Sequence, residues 1–212
     1  MTTLSDEIQA FREQFVANVP DEVLQILLGE TEKLVATGIA EGAAGVGDRC
    51  PDAELIDARG NTVSLSAVLA NGPTIINFYR GAWCPYCNLE VNAFQRVLPE
   101  IKAKGAQLVA ISPQTPDHSL SFQEKNNLEF SVLSDVGNKL ARELGLVFDL
   151  SAVLQEAYTN FGFPLTNYNG DDSWTLPIPA TYVVDQQGII SYAYIDADYS
   201  TRAEPGEVLN AL

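Results

Sequence analysis

An α/β sandwich built on a mixed β-sheet is the fold this sequence predicts, and three observations predict it. Apolar residues make up 46% and charged residues 19% of the 212, the balance of one well-buried globular domain with a modest extension. From Thr74 onward, strand-like and helix-like segments alternate in the order β-α-β-α-β-α-β-β-α. That order gives a sheet parallel in its first half and flanked by helices. The segment Thr74–Tyr79 (TIINFY) is mostly apolar and β-prone, as a strand covered on both faces must be.

Each element follows from local signals. Residues 4–18 carry Leu4, Ile8, Phe11 and Phe15 on one helical stripe. Pro20 suits the first helical position, with Asp21 and Glu22 near the positive end of the helix. Leu24, Leu27, Leu28, Thr31, Leu34 and Val35 continue this second helix, and Gly38 ends it. The two helices form an N-terminal extension over residues 1–44, closed by a Gly/Ala-rich linker from Gly38 to Gly47. It reads as a cover for the core or as the contact surface of a homodimer.

In the main domain, residues 45–212, Ala53–Asp57 and Thr62–Leu65 flank a turn and predict a hairpin. A long helix from Cys84 to about Lys104 follows the buried strand, and Pro99 should kink or end it. Strand Gln107–Ser112 leads to a helix with Thr115 at the N-cap and Pro116 at the first position. Phe130–Leu133 is a short strand, and Asp135 caps a helix through about Leu144. The aromatic-rich stretch 151–176 reads as an insertion. Ala180–Val184 and Ile189–Ile195 form a final pair of strands, and a short helix from Pro205 closes the chain.

Charge and cysteine usage narrow the function. The net charge of −16, from 28 acidic and 12 basic side chains, repels phosphate backbones and anionic lipid, which excludes nucleic acid and membrane surfaces as partners. Met1–Phe11 carries Asp6 and Glu7 and no basic run, unlike a secretory leader. No stretch approaches the roughly 20 apolar residues that span a bilayer. A cytoplasmic protein is expected. Three cysteines make no disulfide scaffold, and in a reducing compartment a close pair is catalytic or metal-binding.

Cys84-Pro85-Tyr86-Cys87 is that pair, placed where a buried strand gives way to a helix. Cys84 falls at the N-cap, Pro85 at the first position and Cys87 at the third. Free amides and the positive helix end there stabilise a thiolate and lower a thiol from about 8.5 toward neutrality. The spacing also lets the second sulfur resolve an adduct on the first as an internal disulfide. A zinc site would need further ligands from Cys50 and His118, neither in paired spacing, so no metal and no cofactor is expected. Arg80, four residues before Cys84, offers a permanent cation for a thiolate or a peroxide oxygen, or is an ordinary surface arginine. Trp83 and Tyr86 shield the site and form a docking face. Pro179 immediately precedes a late strand, where a proline fits as the first residue. Cys50 reads as a small buried hydrophobe, and His118 as a surface residue without a catalytic part.

These residues carry a resemblance. Gly47-Asp48-Arg49-Cys50-Pro51-Asp52-Ala53, Phe78-Tyr79-Arg80-Gly81-Ala82-Trp83-Cys84-Pro85-Tyr86-Cys87, Leu133-Ser134-Asp135 and Ile178-Pro179-Ala180-Thr181-Tyr182-Val183-Val184-Asp185 resemble the peroxiredoxin-like branch of the alkyl hydroperoxide reductase/thiol-specific antioxidant family. The likeness covers Gly45 to Leu212. It implies a thioredoxin-like fold, reduction of hydrogen peroxide and organic hydroperoxides, and recycling by thioredoxin, glutaredoxin or a similar dithiol. It also implies that Pro179 is a cis-proline facing the cysteines. The chain departs from the family at three points: Arg80 stands at the usual proline, Cys84 at the usual threonine and Pro179 at the usual activating arginine, while Cys87 holds the peroxidatic position. Thioredoxin's buried aspartate, six residues before its first cysteine, is Phe78 here, and the glutaredoxin likeness stops at the four-residue motif.

The reading is a cytoplasmic thiol peroxidase working through Cys84 and Cys87. Its rivals are a thiol–disulfide oxidoreductase acting on protein or glutathione disulfides, and a non-enzymatic redox sensor. For protein or glutathione disulfides the N-cap position favours attack by Cys84; for a small peroxide the alignment argues for Cys87 and helix-end physics for Cys84.

Overall fold

The computed structural model describes residues 2–212. Helices α1 (Leu4–Asn18) and α2 (Asp21–Ala36) come first, followed by a one-turn α3 (Ile39–Gly42). The sequence predicted a bare linker over 38–47. Instead Gly38, at φ 70°, reverses the chain, and Ile39 and Ala40 fold back onto the core. Strands β1 (Glu54–Asp57) and β2 (Thr62–Ser64) form the expected hairpin, and α4 (Leu65–Leu69) leads into β3 (Thr74–Phe78). Then come α5 (Pro85–Ala103), β4 (Gln107–Ser112), α6 (Pro116–Lys125), β5 (Ser131–Ser134) and α7 (Lys139–Glu143). The Asp135 carboxylate accepts the amides of Lys139, Leu140 and Ala141 and so caps α7.

The stretch predicted as an insertion has its own frame. Strands β6 (Val147–Asp149) and β7 (Thr175–Pro177) pair antiparallel and enclose α8 (Ala152–Asn160) and α9 (Thr166–Asn169). At three residues each, these strands are too short for a period-two pattern to register. Strands β8 (Ala180–Val184) and β9 (Ile190–Ile195) and helix α10 (Pro205–Asn210) complete the chain.

The main sheet runs β2-β1-β5-β4-β3-β8-β9. Strands β3, β4 and β5 are parallel, while β8 is antiparallel to β3 and β1 to β5. Alternation along β3 assigns its two faces. Ile75 and Tyr79 pack with Val91, Phe94 and Leu98 of α5, while Ile76 and Phe78 pack with Leu65 and Leu140 on the other side. The α5 side is therefore the side to which the strand presents Asn77.

Two expectations are revised here. Helix α5 does not end at Pro99 but continues to Ala103; Leu98 and Ile101 are buried on the sheet, and that packing outweighs the roughly 3 kcal/mol a mid-helix proline costs. The Ile178–Pro179 bond, expected cis, is trans. Ile178 donates its amide to Leu146 at 2.8 Å, and Ala180 pairs with Phe78 and Ile195. The chain thus passes through Pro179 held by a ladder on either side.

Candidate active site

The end of β3 and the start of α5 build the site. Cys84 is the N-cap of α5, Pro85 the first helical residue and Cys87 the third. Cys84 donates its amide to the Gly81 carbonyl at 3.1 Å. Asn88 ties the loop from inside the helix, donating to the carbonyls of Ala82 and Cys84 at 2.9 and 2.8 Å. Gln114, beyond β4, accepts the Ala82 amide at 2.8 Å. Gly81 is required by close approach: a Cβ there would lie 2.3 Å from the Trp83 indole nitrogen.

Two arginines converge on the sulfurs. Arg80 is 3% exposed and forms no ion pair among the described residues. Its guanidinium lies 4.2 Å over the Tyr199 ring and 5.2 Å from the Trp83 centroid, and it donates to the Tyr158 hydroxyl. It is a caged interior cation rather than a surface arginine. Arg202, between β9 and α10, donates to Cys87 Sγ at 3.5 Å and, through Nε, to the Glu90 carboxylate at 2.8 Å. Glu90 also accepts from Thr181, which in turn accepts from Asn77. A polar chain therefore runs from β3 through β8 and α5 to the cysteines.

This setting separates the two thiols. Burial opposes the Cys84 thiolate, but the hydrogen bond from the Cys87 thiol, the Arg80 and Arg202 charges and the Cys87 amide outweigh it and bring Cys84 down to about 6. Burial, and donation of its hydrogen to Cys84, push Cys87 well above the ordinary thiol range. Burial likewise raises Glu90 to about 7 against the pull of Arg202.

Above Cys84 lies a cavity of about 140 Å³ walled by aromatic and aliphatic side chains. Trp83 stacks on Phe163 at 5.1 Å, and Tyr86 meets Phe11 edge-on at 5.1 Å. Cys84 and Arg80 line this cavity; Cys87, fully buried, does not.

The structure thus gathers Cys84, Cys87, Arg80, Trp83, Pro85 and Tyr86. Pro179 immediately precedes β8, at the level of Tyr79, and is absent from the cavity wall. Arg202 is the second arginine beside the cysteines, and sequence reasoning missed it, along with Glu90, Tyr158 and Tyr199. Glu90 had a signal: it is a carboxylate on the apolar stripe of α5, three residues after Cys87. His118 is half-buried rather than exposed, its ring bonded to the Asn167 carbonyl at 2.9 Å.

Cys50 is buried in the cluster on the opposite face of the sheet from the pair, and burial with nearby Asp52 pushes it up to about 11. One equivalent of peroxide is accordingly expected to yield a Cys84–Cys87 disulfide with Cys50 still a free thiol. Peptide mapping reads this, and a dominant disulfide containing Cys50 would contradict it.

Comparison with known proteins agrees with this geometry. The AhpC/TSA family matches residues 46–193. Peroxiredoxin Q, chloroplastic, of Triticum aestivum is 31% identical over 180 residues, 85% of this chain and 72% of its own. Peroxiredoxin Q, chloroplastic, of Oryza sativa subsp. japonica is 30% identical over 81% of this chain and 68% of its own. Among solved structures, peroxidoxin BcpB from Mycobacterium tuberculosis superposes with a TM-score of 0.62 at 22% identity, over 79% of this chain and 95% of its own. Reduced Prx3 from Vibrio vulnificus in complex with hydrogen peroxide superposes at 0.64 and 18% identity, over 80% and 99%. These structures share the fold.

Proposed function

This chain belongs to the AhpC/TSA family of peroxiredoxins, and from that membership and the geometry of the site we propose that it reduces hydroperoxides with Cys84 as the attacking sulfur and Cys87 as the resolving one. The observation that carries the assignment is the asymmetry of the pair. Cys84 lines the cavity and has a thiol lowered to about 6, whereas Cys87 is sealed beneath it and raised. The thiolate is the reactive form.

The Cys84 thiolate attacks the terminal oxygen of the hydroperoxide, the O–O bond breaks, and the departing alkoxide takes up a proton as the alcohol. Cys84 is left as a sulfenic acid. The Cys87 sulfur then displaces its hydroxyl, forming the disulfide and releasing water made from that hydroxyl and the Cys87 proton. Arg80 and Arg202 hold the thiolate before the step and stabilise the charge that moves onto oxygen during it. A thioredoxin- or glutaredoxin-type dithiol returns the pair to the reduced state.

The cavity over the pair, with Cys84 1% exposed and Phe11 and Tyr86 on its wall, fits a small hydroperoxide. A cytoplasmic setting fits an odd set of cysteines with one buried alone. For a homodimer, the exposed Val16, Leu28 and Val35 of α1 and α2 offer apolar surface, as do Val46, Val153 and Phe161 elsewhere.

Steady-state consumption of peroxide with a thioredoxin system tests the reading. Saturable peroxide loss without reduction of insulin is expected. Insulin reduction without peroxide loss would overturn it.

A further inference from the structure

The sequence offered α1 and α2 as a cover or a dimer contact; their side chains do something more specific. Phe11 and Phe15 of α1 and Leu27 of α2 form part of the wall of the cavity that ends on Cys84 and Arg80, and Phe163 from the stretch between β6 and β7 closes another part. These four residues therefore reach the site from two segments outside the core sheet, and the three on the helices precede residues 46–193, where the family likeness lies.

We propose that the N-terminal helices and the β6–β7 excursion build a substrate-specificity pocket that selects hydroperoxides bearing a bulky apolar group, such as a phenyl or branched alkyl group, over hydrogen peroxide. The inference rests on the peroxidase reading above and deepens it. Size and chemistry both support it. At about 140 Å³ the cavity matches the ~150 Å³ of an apolar cavity that accepts a benzene ring. Its wall is aromatic and aliphatic, and its charged group, Arg80, stands beside Cys84, where the O–O bond must lie. Water finds few partners on such a wall, so an apolar group that displaces it gains affinity. Hydrogen peroxide leaves the same wall unused. A hydroperoxide with its oxygens at Cys84 places its carbon skeleton among Phe15, Leu27 and Phe163.

The test compares kcat/KM for cumene hydroperoxide and hydrogen peroxide in wild type and Phe15→Ala. Since one methylene in an apolar pocket is worth ~10–200-fold, wild type is expected to prefer cumene hydroperoxide by at least about tenfold. The preference should fall by about tenfold in Phe15→Ala, whose parent side chain is half-buried. Should that variant not fold, inhibition of wild type by 2-phenylpropan-2-ol, the product alcohol, takes its place. Competition against cumene hydroperoxide is expected, and its absence overturns the proposal. Comparable kcat/KM for both peroxides in wild type, or a preference unchanged by Phe15→Ala, overturns the specificity pocket alone. Consumption of neither peroxide overturns the peroxidase reading and the pocket with it.

Discussion

Cys84→Ser is expected to reduce peroxide consumption to the uncatalysed background, a loss of at least about 10³-fold, because the thiolate that lines the cavity is gone. Cys87→Ser should behave differently. Its hydroxyl still donates toward Cys84, so the thiolate survives, and one sulfenic acid forms per chain before turnover stalls. Mass spectrometry of each variant after a single addition of peroxide separates the two outcomes. Alkylation of the Cys87→Ser variant should show a midpoint near the value of about 6 that the wild-type surroundings set for Cys84. The same depression has a sign in stability. A thiol whose folded value lies below its ordinary 9.0 stabilises the fold above pH 9 and loses that contribution as pH falls through about 6. Wild type should therefore gain stability over Cys84→Ser between pH 6 and 9. Faster peroxide reaction at Cys87, with the lower midpoint there, would reverse the assignment and restore the order implied by alignment with typical peroxiredoxins.

What the sequence made legible was local. A buried strand followed by a proline-started helix states its own geometry, so the placement of Cys84, Pro85 and Cys87 at the helix start could be read directly. The alternation of strands and helices likewise specified a mixed sheet with a parallel middle. The cation beside Cys87 was not legible, because Arg202 lies 115 residues away in sequence and comes into place only through the β8–β9 hairpin and the loop after it. The expectation at Pro179 failed for a related reason. It was carried over from the resemblance, while the backbone there is governed by the ladders on either side, the β6–β7 one invisible at three residues per strand. Phe11 and Phe15 share a helical stripe with Leu4 and Ile8, and periodicity cannot tell core from cavity wall. Leu4 and Ile8 are buried against the α5 side of the sheet, whereas Phe11 and Phe15 face the space over Cys84.

Arg202→Met is expected to cost about 3–5 kcal/mol, because it strands the Glu90 carboxylate in the interior with neutral groups such as the Thr181 hydroxyl in place of its cation. At ~2–4 °C per kcal/mol for a chain of this size, the melting temperature should fall by on the order of 10 °C. The loss depends on pH in a stated direction. Glu90 in the fold sits at about 7 against an ordinary 4.5, so the native state holds its proton more tightly than the unfolded chain. Its contribution is fully present below 4.5 and is lost as pH rises through about 7. Without Arg202 the carboxyl rises further, and the loss continues to higher pH. The gap between wild type and Arg202→Met should therefore widen from pH 5 to pH 8. Glu90→Gln added to Arg202→Met removes the stranded charge and should recover most of the stability, since a neutral pair replaces a broken ionic one. It should not recover reactivity: Arg202 also lowers Cys84, so the alkylation midpoint of Cys84 should stay above 6 in both variants. Melting curves at the two pH values, read beside the alkylation profiles, separate support of the fold from support of the thiolate. Equal destabilisation at pH 5 and pH 8, or a double variant as unstable as the single one, would show that Arg202 does not act through its pairing with Glu90.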